Sequence, residues 1–351
     1  MIFEKIKIGG ISLNNKIVVS AMCQYSAKNG CPTEWHYSHL GILAASGAGM
    51  LTIESTAVNL SGRITHADLC LKTKKQFTEM KKLFLFLKKI SNIPICLQIA
   101  HAGRKGSSHI PWIKKNTALK KNESSWKTFS ASRIKKDKGW PIPEELSQKQ
   151  IKNIVKDYSH TIRLAKLIGF ESIEIHMAHG YLLHQFLSPV SNKRNDMFGG
   201  NFENRIRLPK LILKEAKKIW PKNKILGTRI TASDHLPEGI DIKEAIKFVK
   251  QIKEIGFHYV CVSSGGILTK TNLNPNKKAF RLKMAERIRK ETKMLVRASG
   301  NLNHPKLLKK VIGKKIDFVA LGRAFLSNPR WIFNNFKIKS IPRQISRGFK
   351  K

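Results

Sequence analysis

The sequence predicts one α/β domain over residues 1–351, a (β/α)₈ barrel with an N-terminal β-hairpin and a long loop after its third strand. Three observations lead there. Short apolar runs recur along the chain, helical periodicities lie between them, and the run count is eight.

The first fifteen residues read as a hairpin: Ile6, Ile8, Ile11 and Leu13 alternate with polar residues around Gly9-Gly10. The apolar runs follow at 16–20, 50–54, 95–99, 172–176, 225–230, 259–263, 294–299 and 317–321. Each is nearly continuous in apolar residues, which marks a parallel strand covered on both faces. Between the runs lie helix-spaced sets; ahead of the fourth run, Ile151, Ile154, Val155, Tyr158, Ile162 and Ala165 form one buried face. Eight strand–helix units close a TIM barrel, although counting alone also allows a doubly wound sheet. The polar, lysine-rich stretch 106–146 breaks the rhythm and reads as a capping loop over the barrel mouth. Residues 337–351 form a short basic tail.

Composition narrows the function. At 351 residues and 41% hydrophobic content there is material for a sizeable core, and no run approaches a membrane span. The first residues, Met1 to Lys7, lack the apolar stretch of a signal peptide. Cys23, Cys31, Cys70, Cys96 and Cys261 make no CxxC pair and no metal-ligand spacing, as expected of reduced thiols in a cytoplasmic protein. The net charge of +43 is spread along the chain. No basic block with interleaved aromatics occurs, so no nucleic-acid partner and no membrane partner is expected.

In a barrel the C-terminal strand ends face the active site. Here those ends read Ser20-Ala21-Met22-Cys23-Gln24-Tyr25, Glu54-Ser55, Gln98 to Lys105, His176 to Tyr181, Arg229, Ser263 to Gly266, Ser299-Gly300 and Gly322-Arg323. Polar, titratable and glycine residues thus collect on one rim. Glycines after strands seven and eight let backbone N–H groups approach an anion, and Arg323 adds charge at a helix start. With neither GxGxxG nor GxxxxGK[ST] present, FMN is the phosphorylated cofactor expected. His176 and His179, three apart after a strand, can converge on one oxygen. A metal needs a third ligand, for which Glu174 and His184 are the nearby candidates, and none is expected.

The runs Ser20 to Ser26, Gln98 to Lys105, His176 to Pro189 and Asn192 to Arg207 resemble those of old yellow enzymes, and so does Gly322-Arg323. Cys23 and Arg347-Gly348-Phe349 resemble the bacterial thermophilic-like subclass that includes xenobiotic reductases. The resemblance covers essentially the whole chain. It implies an NAD(P)H oxidoreductase, an ene-reductase that reduces activated C=C bonds of enones, maleimides or nitro compounds, with NADPH or NADH as reductant. It implies FMN contacts from Ser20, Ala21, Met22, Cys23, Ser55, Gln98, Arg229, Gly300, Gly322 and Arg323. His176 and His179 would bind the substrate oxygen, Tyr25 would contact the same substrate, Tyr181 would donate a proton, and Cys23 would tune the flavin. Arg347 would enter the pocket of a neighbouring subunit in a homodimer or homotetramer. Ala21 departs from the family's usual proline, Ser55 from its alanine or glycine, and Phe349 from its tryptophan.

A flavin-dependent tRNA dihydrouridine synthase is the rival from another functional class. Its Gly-Cys-Pro motif has a counterpart in Gly30-Cys31-Pro32, but here that motif opens a loop before Thr33-Glu34-Trp35-His36. The multi-domain dienoyl-CoA reductases would need an iron–sulfur cysteine cluster. A non-enzymatic basic binding protein would not need the polar rim.

Overall fold

The computed structural model describes residues 1–271, 273–274, 277–338 and 341–349. The hairpin comprises β1 (Ile6–Ile8) and β2 (Ile11–Leu13). The barrel begins with β3 (Ile17–Val19), β4 (Met50–Ala57) and β5 (Ile95–Ala100). A short parallel pair, β6 (Phe129–Ser130) and β7 (Glu144–Glu145), lies inside the long segment. The barrel then continues through β8 (Ser172–Met177), β9 (Ile225–Thr231), β10 (Tyr259–Ser263), β11 (Leu295–Ala298) and β12 (Phe318–Leu321). These eight strands pair in sequence order, all parallel, and β12 returns to β3 to close the barrel. The eight-run reading therefore holds, and closure excludes the doubly wound alternative.

Period two sorts the strand residues into two layers. Val18, Met50, Cys96, Ile225, Tyr259 and Phe318 point into the barrel, where Ile8 and Leu13 of the hairpin plug its lower end. Ile17, Val19, Leu51 and Ile53 point outward under the helices. With both faces buried, polar alternation would be costly, which is why the strands read as apolar runs.

The run 50–54 extends three residues further than its apolar content indicated. Glu54, Ser55 and Thr56 are all buried within β4, and the register against β5 slips between Ile53 and Thr56. Glu54 and Ser55 together oppose Gln98, a bulge of the kind that re-aims side chains beside an active site.

The covering helices begin with α1 (Glu34–Ala44), α2 (Lys74–Ile90) and α3 (Gln148–Ile168), and others follow between the later strands. In α3, Ile151, Ile154, Tyr158, Ile162 and Ala165 are buried, while Val155 is half-buried. Its start is fixed by a reciprocal cap between Ser147 and Gln150, and α2 uses Thr73 and Gln76 in the same way. The segment 106–146 is stapled down by two buried arginines. Arg104 donates to the carbonyls of Ile134 and Ile267, both at 3.0 Å. Arg194 donates to those of Ala131 and Leu146 at 2.9 and 2.8 Å. No helix among the described residues is long and apolar enough to cross a membrane.

Candidate active site

His176 at the end of β8 stands in register with Arg229 on β9, so the two side chains share one rim. The backbone N–H of Ala178 donates to Nδ1 of His176 at 3.1 Å. Nε2 of His176 lies 3.2 Å from Nδ1 of His179, and Nε2 of His179 lies 2.5 Å from the Ser263 hydroxyl. Desolvation, followed by the charge of Arg229, holds both imidazoles well below the usual histidine range, so both are neutral.

His179 has φ +58, and its backbone is clamped: its N–H donates to Thr231 Oγ1 at 3.1 Å and its carbonyl accepts from Lys105 Nζ at 2.8 Å. The next residue, Gly180, has φ +73, and a Cβ there would meet the Gly266 carbonyl at 2.1 Å. No other residue fits the His-Gly-Tyr turn. The N–H of Gly180 donates to His184 Nδ1 at 2.7 Å, and His184 Nε2 faces Asp234 Oδ1 at 2.9 Å in a fully buried pair. Tyr181 then lies edge-on to His176, with ring centres 5.1 Å apart, and Lys105 Nζ sits 5.0 Å from the Tyr181 ring centre. Burial raises the Tyr181 phenol well above the usual tyrosine range, with smaller contributions from Cys23, Tyr25 and Asp68, so it keeps its proton.

Cys23 and Tyr25 belong to the half-exposed stretch after β3. Burial, Asp68 and Glu54 push the Cys23 thiol up, which suits a neutral polar contact and not a nucleophile. Tyr25 has φ +49 and meets Trp112 of the 106–146 segment edge-on at 5.8 Å. Gln98 donates through Nε2 to Glu174 Oε1 at 2.7 Å. Glu174 also accepts from the Tyr259 hydroxyl at 2.9 Å and pairs with Arg297, all inside the barrel. Both side chains weighed as extra metal ligands are thus held in other pairs, Glu174 with Arg297 and His184 with Asp234.

A cavity of about 550 Å³ opens between the ends of β3, β9, β11 and β12. Ser20, Ala21, Met22, Arg229, Gly300, Gly322 and Arg323 line it, together with Phe280 and Arg281. No acidic side chain lines it among the described residues. Cys23, Ser55, Gln98 and the two histidines are not among its lining residues. Arg347 is elsewhere. It is exposed, between Ile345 and Phe349, and Phe349 packs on Phe333 with ring centres 5.4 Å apart. Phe333, Ile341 and Pro342 border a second cavity with Asn15, Gly49 and Pro94, at the N-terminal ends of β3, β4 and β5. The tail is therefore seated at the barrel end away from the rim; residues 339, 340, 350 and 351 of it lie outside the described residues. Cys31 of the Gly-Cys-Pro run is buried in a bridge to Lys28.

Residues 1–340 match the NADH:flavin oxidoreductase / NADH oxidase family. The chain belongs to this family. An NADPH dehydrogenase of Bacillus subtilis is 34% identical over 332 residues, covering 93% of this chain and 92% of the relative. An NADPH dehydrogenase of Clostridium acetobutylicum is 32% identical and covers 99% of both chains. Among solved structures, morphinone reductase in complex with tetrahydroNAD superposes with a TM-score of 0.76 at 21% identity, covering 99% of this chain and 91% of that one. An old yellow enzyme homologue from Zymomonas mobilis gives 0.79 at 20%, covering 98% and 95%.

This flavin oxidoreductase uses FMN with NAD(P)H as reductant, and the rim cavity fits FMN on its own chemistry. Its volume lies in the range of cofactor sites. Its charged groups among the described residues are guanidiniums, and Nε of Arg229 is buried with no hydrogen-bond partner among those residues. Gly300 has φ +105, which turns the backbone sharply at the point where it borders the cavity. Sequence reasoning missed Arg281 and Phe280, which reach the cavity from beyond β10, and also Asp234. The strand ends placed Lys105 and Ser263 on the rim but gave neither a role beside His179. Nothing local marks Arg281 or Asp234, which the closed fold alone delivers.

Proposed function

We propose that this oxidoreductase is an ene-reductase acting on small molecules whose C=C bond is activated by a carbonyl or nitro group. FMN, when bound, would supply the hydride-transfer chemistry that links NADPH or NADH to the alkene. The protein's part is binding, polarisation and proton supply. Nε2 of His176 and Nδ1 of His179, 3.2 Å apart, with the His176 ring edge-on to Tyr181, support this reading. An oxygen about 2.8 Å from both nitrogens would accept two hydrogen bonds, drawing electrons from the alkene as charge develops on that oxygen. Tyr181, kept protonated by burial, would deliver the proton to the carbon beside the activating group.

Tyr25 would wall the substrate from the loop side. Arg229 and Gln98 would meet the flavin pyrimidine edge, where a positive charge favours the reduced cofactor. Cys23 and Ser55 would border the flavin's other edge, and Ser20, Ala21, Met22, Gly300, Gly322 and Arg323 would line its ribityl-phosphate path. The five unpaired cysteines support a cytoplasmic setting. We further infer a homodimer or homotetramer in which Arg347 of one subunit completes the pocket of the next. Its seat far from its own rim supports that reading.

Purified protein should be yellow, or become so with added FMN, and should oxidise NAD(P)H on addition of 2-cyclohexenone or a maleimide. Tyr181→Phe should slow alkene reduction and leave flavin reduction by NAD(P)H intact. Equal slowing of both half-reactions would remove Tyr181 from the proposed role.

A further inference from the structure

The flavin cavity has more positive charge than one phosphate contact needs. Arg229, Arg281 and Arg323 all line it, and no acidic side chain does so among the described residues. FMN carries two negative charges on its phosphate and, when reduced, a third on its ring. The three guanidiniums match that total if one serves the ring and two serve the phosphate.

We propose that Arg281 is a phosphate ligand for FMN, closing the phosphate site with Arg323 beside Gly300. This rests on the reading of the rim cavity as the FMN site and adds a residue to it. Arg281 enters from the segment after β10. Its Nε donates to Ser264 Oγ and its Nη2 to the Ser264 carbonyl, both at 3.0 Å. Those two bonds fix the plane of a group with five N–H donors, leaving three for a ligand. Its guanidinium also lies over the Phe280 ring, 4.4 Å from the centre. A Cβ on Gly300 would stand 3.2 Å from Arg281 Cδ and 3.0 Å from the Phe280 ring, so the Gly300 turn and the Arg281 stem are in contact. The head group is therefore held at the cavity wall beside Gly300. Burial, followed by the charge of Arg229, lowers the Arg281 guanidinium to about 10, a cost that a bound anion would offset.

The assignment is tested by titrating flavin-free protein with FMN and with riboflavin, which lacks only the phosphate, and following quenching of flavin fluorescence. Wild type should bind FMN more tightly than riboflavin. Arg281→Ala should weaken FMN binding roughly 10- to 100-fold, the range for a lost charge-assisted hydrogen bond, and leave riboflavin within about twofold. Arg281→Gln, which keeps an amide donor for Ser264, should show the same selective loss and guards against a folding defect. Equal weakening of both flavins would assign Arg281 to the ring or ribityl chain and overturn the proposal, as would unchanged FMN affinity. A wild type that binds the two flavins equally would instead overturn the phosphate site as a whole.

Discussion

Nε2 of His176 and Nδ1 of His179 face each other across 3.2 Å, and that contact sets the protons of the pair. His176 accepts from Ala178 N–H at Nδ1, so its own proton is on Nε2 and points at His179. His179 consequently accepts at Nδ1 and presents an Nε2–H to Ser263. For both rings to donate to a substrate oxygen, His179 must carry its proton on Nδ1 instead. The Ser263 hydroxyl then donates where it had accepted.

Replacing both histidines by alanine should therefore abolish tight binding of phenols, which mimic the oxyanion, while FMN stays bound. Each lost donor should lower alkene reduction by roughly 10² to 10³. The measurement is the long-wavelength absorbance of the phenol–flavin complex together with stopped-flow reoxidation. Undiminished phenol binding in the double variant would separate the pair from the substrate.

Lys105 gives a pH dependence whose sign is fixed. Burial, with Lys136 and Arg104 nearby, lowers its ammonium from 10.5 to about 7. A depressed base is less protonated in the folded chain than in the unfolded one. Its contribution to stability is complete above 10.5 and is lost as pH falls to about 7. The melting temperature of wild type relative to Lys105→Met should rise between pH 7 and pH 10. A flat difference across that window would mean that Lys105 titrates normally.

Arg347 bears on assembly. An arginine at the far barrel end cannot serve its own rim, and a two-fold dimer makes any exchange reciprocal. Arg347→Ala should weaken substrate binding several-fold and leave FMN in place. Mixing that variant with an inactive His176→Ala/Tyr181→Phe chain should restore part of the activity, because a hybrid holds one complete pocket. No recovery on mixing, or a fully active monomer in dilute solution, would end the shared-site reading.

The sequence by itself determined the eight strands, the hairpin and the strand-end residues that gather on one rim. It could do so because a strand buried on both faces must be apolar, and because strand ends carry the polar residues a rim requires. His176, His179 and Tyr181 were legible for the same reason, lying within six residues of one strand end. Tertiary structure alone decided the rest. The β4 bulge that sets Glu54 and Ser55 against Gln98 leaves no local mark, since it depends on the register of a neighbouring strand. Arg281 reaches Gly300, nineteen positions later by number, only once β10 and β11 lie side by side. Asp234 meets His184 because β8 and β9 pair and carry the segments after them together, and Arg297 meets Glu174 because closure brings distant strands around one interior; at both places a lone charge would be too costly to bury and each must find a partner.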